Sequence, residues 1–144
     1  MYKGSCLCGG ISYEITTELP DYGCCHCSSC RKGSGSAYGA NIGLERSNFQ
    51  MSDPDNLLKE FESSPGKFRA FCSHCGSPLF AYLCKSPDTV RVRLGSLDTP
   101  FAEHPKAHTF TSDKALWERI DEHTPQFENW ASRDILVQAG SKQP

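Results

Sequence analysis

The residues of this chain best suited to chemistry are its cysteines, nine in 144 residues. The densest run is Cys24-Cys25-His26-Cys27-Ser28-Ser29-Cys30-Arg31-Lys32, in which a C-x-C and a C-x-x-C share their middle residue. The overlap lets Cys25, Cys27 and Cys30 converge on one ion from a single loop, while Cys24, adjacent to Cys25, points away. Three protein ligands with an open fourth position is the arrangement of a catalytic zinc, completed by water or substrate. Three thiolates on Zn²⁺ leave a net charge of about −1, which Arg31 and Lys32 can offset, or they can hold an anionic ligand. Two other readings of the spacing stay open. One is a closed second zinc completed by His26, Cys84 or Cys24, and the other is a redox pair of Cys27 and Cys30, although no βαβ pattern surrounds it.

Two further pairs lie outside that run. Cys6-Leu7-Cys8 is a C-x-C whose sulfurs share a face in extended chain, with Gly9-Gly10 behind it to let the backbone bend. Cys72-Ser73-His74-Cys75-Gly76 is a C-x-x-C-G knuckle, whose glycine suits the left-handed residue that closes such a turn. Together they supply four sulfurs, enough for a closed structural zinc. Their separation of roughly 60 residues means that such a metal ties the start of the chain to its middle.

These clusters must be positioned by a modest scaffold. The length suits one domain, expected to span residues 1–144, with a core that hides about two-thirds of the unfolded surface. Apolar residues make up 38% and charged residues 22%, and 15 basic against 17 acidic side chains leave a net charge of −2. That balance gives no footprint for nucleic acid and no polybasic membrane patch. The start of the chain has no apolar signal-peptide core and no run of 18 apolar residues occurs, so a cytoplasmic, reducing setting is expected and a disulfide scaffold is not.

Twelve glycines and nine prolines break the chain into short apolar stretches, which favours strands over helices. Residues 11–15 and 90–94 alternate as half-buried strands. Residues 37–44 and Pro78 to Leu83 suit strands by length and aromatic content. One helix candidate runs from Ser112 to His123, capped by Ser112 and with Leu116, Trp117 and Ile120 on a shared face; Thr124-Pro125 ends it early, and the alternative is that the same residues pack as an irregular arm. Arg91 and Arg93, two apart on a strand, read as its solvent face. Trp117, Phe127 and Trp130 read as core or arm packing, and His104, His108 and His123 lack ligand-like spacing. A mostly-β chain follows.

The order and flanks of the cysteine clusters resemble the glutathione-dependent formaldehyde-activating enzyme family, which includes the centromere protein V domain. The likeness rests on Gly4-Ser5-Cys6-Leu7-Cys8-Gly9, on Cys25 to Lys32 with Gly33 and Gly35, on Ser63 to Lys67, and on Arg69 to Leu79. It continues through Gly95-Ser96-Leu97-Asp98 and His108 to Trp117 and Pro125-Gln126-Phe127, about residues 3–130, leaving a tail at 131–144. The resemblance implies a β-tent fold of packed antiparallel sheets holding two zinc ions. By position Cys6, Cys8, Cys72 and Cys75 match the structural site, and Cys25, Cys27 and Cys30 the catalytic one. The implied activity is carbon–sulfur lyase or synthase chemistry, in which glutathione or a similar thiol adds to formaldehyde or another small aldehyde. Arg31 and Lys32 are then candidates to hold the thiol's carboxylates, and His26 or Ser28 to relay a proton. Cys24 and Cys84 lie outside the seven matched positions. The competing reading is a non-catalytic zinc module that binds a protein partner or a thiol.

Overall fold

Residues 1–131 are described by a computed structural model. In chain order its elements are β1 (Tyr2–Ser5), β2 (Ser12–Ile15), β3 (Gly23–Cys25), α1 (Ser28–Ser34), β4 (Gly39–Glu45), β5 (Phe49–Ser52), β6 (Leu58–Ser64), β7 (Lys67–Cys72), β8 (Pro78–Leu83), β9 (Ser86–Arg93) and β10 (Ala107–Thr109). Two sheets result: a three-stranded one in the order β1-β2-β5, and a seven-stranded one in the order β10-β3-β4-β9-β8-β7-β6. The mostly-β, antiparallel expectation holds, with one parallel pair where β10 joins β3.

Alternation decides which face of each strand meets the core. Tyr13 and Ile15 of β2 pack with Ile11 against Ile42 and Leu44 of β4, Val90 and Val92 of β9, and Leu79 and Phe80 in and beside β8. Fully burying an aliphatic side chain of this size contributes roughly 1.5–3 kcal/mol, so these positions hold the two sheets together. The register puts Ala70, Phe80, Val92 and Ile42 in one inward row across four strands. The neighbouring row, Phe61, Arg69, Ala81, Arg91 and Gly43, therefore lies on the opposite face of the large sheet.

The strands read from residues 11–15, 37–44, 78–83 and 90–94 all appear, the third with the bounds expected. The helix expected from Ser112 to His123 does not. A short 3₁₀ turn, Thr111–Asp113, is followed by an irregular arm in which Leu116 is 100% and Trp117 72% exposed. The backbone there is claimed by tertiary partners: Phe110 and Thr111 donate to the carbonyls of Asn129 and Phe127, and Lys114 Nζ donates to the carbonyls of Ala115 and Glu118. Those bonds compete with the i to i−4 ladder, and an apolar pair left in solvent has no face to bury. The helix that does form, α1, lies in the cysteine run. Cys27 is its N-cap, and Gly35, at φ 64°, closes it in the left-handed region. Of the tail at 131–144, all but Ala131 lies outside the described residues.

Candidate metal centres

The first centre sits where two hairpin ends meet. The β1–β2 loop carries Cys6 and Cys8, the β7–β8 loop carries Cys72 and Cys75, and the four sulfurs lie within 4.8 Å of one another. Cys6 Sγ is 3.5 Å from Cys8 Sγ, which is 3.8 Å from Cys72 Sγ. Tetrahedral zinc with Zn–S bonds near 2.3 Å needs sulfurs about 3.8 Å apart, so this donor set fits the ion. Backbone donors face the sulfurs, with the Ile11 N–H 3.3 Å from Cys6 Sγ. Gly76 takes φ 78° to close the knuckle, and its N–H donates to the Cys72 carbonyl. The two loops are laced directly, because the Leu7 N–H donates to Ser77 Oγ at 2.9 Å while Ser77 Oγ contacts Cys75 Sγ at 3.2 Å. Hydrogen bonding from Ser77 pulls the Cys75 thiol down to about 5.

The second centre is assembled from the end of β3 and the start of α1. Cys25, Cys27 and Cys30 bring their sulfurs within 4.8 Å of one another, and no fourth His, Cys or carboxylate among the described residues joins them. The Cys30 N–H, 3.4 Å away, donates to Cys27 Sγ and fixes the turn. Hydrogen bonds from Cys25 and Cys27, with Lys67 and Arg69 nearby, hold Cys30 on the thiolate side. The three residues proposed as a fourth ligand are placed elsewhere. Cys24 is 1% exposed on the other face of β3, where burial and then Glu118 push its thiol up to about 12. Cys84 is exposed in the β8–β9 turn. His26 is fully buried, with Nε2 2.7 Å from Nδ1 of His108, and Tyr38 packs on both rings.

Arg31 Nε donates to the His26 carbonyl, and Lys32 and Ser28 are exposed on α1. The cations that face the three sulfurs come from β7 and β9. Arg69 Nη2 approaches Cys30 Sγ at 4.0 Å, and Lys67, Arg91 and Arg93 all feel the charge of Cys25 and Cys30. Burial lowers the pKa of Lys67, Arg91 and Arg93, and the Cys30 sulfur acts against that shift. Arg91 and Arg93 are therefore not a solvent face. Arg93 is 6% exposed, and Arg91 lies under the ring of Trp130, 5.7 Å from its centroid. A lysine or arginine at alternate positions in each of two strand segments, Lys67-x-Arg69 and Arg91-x-Arg93, was the available signal, but only strand pairing sets the two segments side by side. Trp130 packs edge-on against Phe110, as an arm residue should, whereas Trp117 is exposed.

Beside Arg93 a cavity of about 650 Å³ opens against Cys6 of the first centre, with Ser34, Tyr38, Gly39, Ser77, Ser96 and Asp98 in its wall. Its volume is in the range of small-ligand sites. Gly39 belongs both to that wall and to the thiol cluster, since a side chain there would meet Cys30 Cβ at 3.4 Å.

Fold and site together define a small β protein with two thiol clusters of metal-ligand geometry, one of four sulfurs and one of three. The family model described as glutathione-dependent formaldehyde-activating enzyme matches residues 1–113, and the chain belongs to that family. A Halomonas elongata protein provisionally named a glutathione-dependent formaldehyde-activating enzyme is 28% identical over 134 residues, covering 84% of this chain and 82% of the relative. A Schizosaccharomyces pombe protein described as an uncharacterized lyase is 37% identical over 82 residues, 56% of this chain and 58% of its own. The crystal structure of a Rhodobacter sphaeroides protein shares the fold, with a TM-score of 0.59 at 22% identity, covering 74% of this chain and 99% of that one. Membership makes this chain an enzyme of the carbon–sulfur lyase type.

Proposed function

We propose that this chain is a zinc-dependent carbon–sulfur lyase or synthase that joins glutathione, or a similar small thiol, to a small aldehyde such as formaldehyde. Cys6, Cys8, Cys72 and Cys75 hold a structural zinc, and Cys25, Cys27 and Cys30 hold a catalytic one, within a single domain. The carrying observation is the three-sulfur cluster itself, which gathers no fourth described donor while the four-sulfur cluster is complete. Zinc held by the three thiolates would supply a position at which an incoming thiol loses its proton and stays a thiolate at neutral pH.

The bond made is a single C–S bond. The thiol sulfur adds to the carbonyl carbon, and the carbonyl oxygen takes up a proton to become a hydroxyl. The protein's own groups set the conditions for that addition. Lys67, Arg69, Arg91 and Arg93 offset the negative charge of the thiolates, and two-sheet packing keeps β7 and β9 fixed beside β3 and α1. His26 is fully buried with its Nε2 paired to His108, whereas the Ser28 hydroxyl, in the first turn of α1, is exposed and carries the proton. All nine cysteines are free thiols, and no helix among the described residues is long and apolar enough to cross a membrane. The free thiols suit a reducing, cytoplasmic setting.

The test is metal-replete protein mixed with glutathione and a panel of small aldehydes, with hemithioacetal formation followed by NMR. Acceleration over the uncatalysed rate for at least one aldehyde is expected. No acceleration for any of them, with both metals present, overturns the reading.

A further inference from the structure

We infer that Arg69, Arg91 and Arg93, with Lys67, form a wall that reads the carboxylates of the thiol substrate, so that this site selects thiols carrying two or more anionic groups over neutral ones. The inference rests on the proposed thiol-binding role of the Cys25, Cys27 and Cys30 cluster and names the residues that set its specificity.

The first observation is placement. Arg69 pairs with Ala81 and Ala81 with Arg91, so the two arginines flank a methyl group in one cross-strand row, about 10 Å apart at their backbones. Arg93 follows two residues after Arg91 on the same face, and Lys67 precedes Arg69 by two. Four cations thus converge on one side of the sheet, beside the three sulfurs. Gly43 ends the row and Gly33 of α1 stands over it; a side chain at position 33 would lie 3.1 Å from Arg69 Nη1. Small residues leave the guanidinium groups room.

The second observation is charge. Among the described residues none of these four cations is ion-paired with an Asp or Glu; the pairs present are Lys3 with Glu14 and His123 with Glu122. Three thiolates and one divalent metal carry only about −1, which four buried or half-buried cations exceed by about three charges. Glutathione, with its thiolate, two carboxylates and one ammonium, brings about −2 and lowers that sum to about +1. Charges held this far from bulk water without partners are costly, and an anionic ligand relieves the cost.

The third observation is unused donor capacity. The guanidinium groups are aimed by side-chain oxygens, Arg69 Nε donating to Ser63 Oγ at 2.9 Å and Arg93 Nη1 to Asn41 Oδ1, and each also reaches the Cys30 sulfur, Arg69 through Nη2 at 4.0 Å. Arg69 Nη1 and Arg93 Nε are buried without any partner, in a protein where Arg93 is 6% exposed. Orphaned guanidinium N–H groups match a carboxylate, which accepts two such bonds in the plane of the fork. Of the four cations Arg93 alone reaches the wall of the 650 Å³ cavity, which also carries Asp98, so a carboxylate seated on the Arg93 side meets its guanidinium.

The experiment measures equilibrium binding to metal-loaded protein, without aldehyde, of glutathione, its diethyl ester and the neutral thiol 2-mercaptoethanol by calorimetry. Wild type is expected to bind glutathione about tenfold or more tightly than the diester, and added salt to weaken only the former. In Arg69→Gln and Arg93→Gln that ratio falls toward one, and the affinity lost for glutathione exceeds that lost for 2-mercaptoethanol by about tenfold or more. A wild-type ratio near one overturns the inference without recourse to any variant. So does an equal loss of glutathione and 2-mercaptoethanol in the variants, which would mean that the arginines act only on the cysteine cluster. Selectivity for glutathione without turnover of any aldehyde leaves the wall standing and removes the proposed reaction; turnover with a ratio of one does the reverse.

Discussion

Nε2 of His26 lies 2.7 Å from Nδ1 of His108, and the two rings are 0% and 6% exposed. One nitrogen must donate and the other accept, so the bond requires at least one neutral ring. Burial first, then the nearby His108, Lys114 and Arg31, hold the His26 pKa down to about 4, and burial lowers that of His108 as well. The folded state therefore binds fewer protons than the unfolded one between about pH 6.5 and 4. The pair's contribution is complete above that window and is lost as pH falls through it. The urea midpoint of zinc-replete wild type should exceed that of His26→Gln at pH 7, and the gap should close toward pH 4. A gap that widens on acidification contradicts the assignment.

The two cysteine clusters should respond differently to the loss of one thiol. Cys72 is fully buried between the sheets and shares its cluster with the β1–β2 loop, so Cys72→Ser removes a cross-link and a metal together. That variant should lose its cooperative melt. Cys27 lies half-buried at the mouth of α1, and Cys27→Ser should keep about one zinc per chain and a cooperative melt while losing turnover. Metal content by atomic absorption and melting by circular dichroism check both. A Cys27→Ser variant that fails to fold would make the second centre structural.

Two glycines admit close neighbours and should not tolerate alanine. At Gly39 a Cβ would lie 2.9 Å from Arg93 Nη1 and 3.2 Å from Asn41 Nδ2, so Gly39→Ala must displace the arginine. We expect a loss of about 1–3 kcal/mol, with weaker glutathione binding. At Gly4 the same atom would lie 2.2 Å from Tyr13 Cζ and 2.5 Å from the Ser96 carbonyl oxygen. There the obstacle includes backbone, and the 2.7 Å contact between Tyr13 OH and Ser96 Oγ would break, so Gly4→Ala should cost more. Urea unfolding of both variants orders them, and the reverse order would show that the arginine cannot yield.

Residue spacing was enough to partition the cysteines. C-x-C and C-x-x-C bring sulfurs together through a few bonds of local backbone, so Cys6/Cys8, Cys72/Cys75 and Cys25/Cys27/Cys30 were legible before any fold. Alternation likewise marked the strands at 11–15 and 90–94, because a half-buried strand must place its apolar side chains on one face. Local pattern failed where tertiary partners took over. Ser112 to His123 has the cap and spacing of a helix, yet Phe110 and Thr111 just before it bond to Asn129 and Phe127, the Ser112 hydroxyl donates to the Glu128 carbonyl, and Leu116 finds no surface to cover. The cysteine run hid the helix that does form, since its N-cap is a thiol.

Composition and short spacing alone carried the β class and the two groups of thiols, and the likeness of the chain's motifs carried the family. What only the tertiary structure decided was the company those thiols keep. Whether Arg91 and Arg93 meet solvent or sulfur depends on which strand lies beside β9 and on what covers it, and on the pairing that brings Lys67 and Arg69 level with them. Those are contacts between residues far apart in the chain, and the sign of a strand's outer face carries no mark of the neighbour it will find.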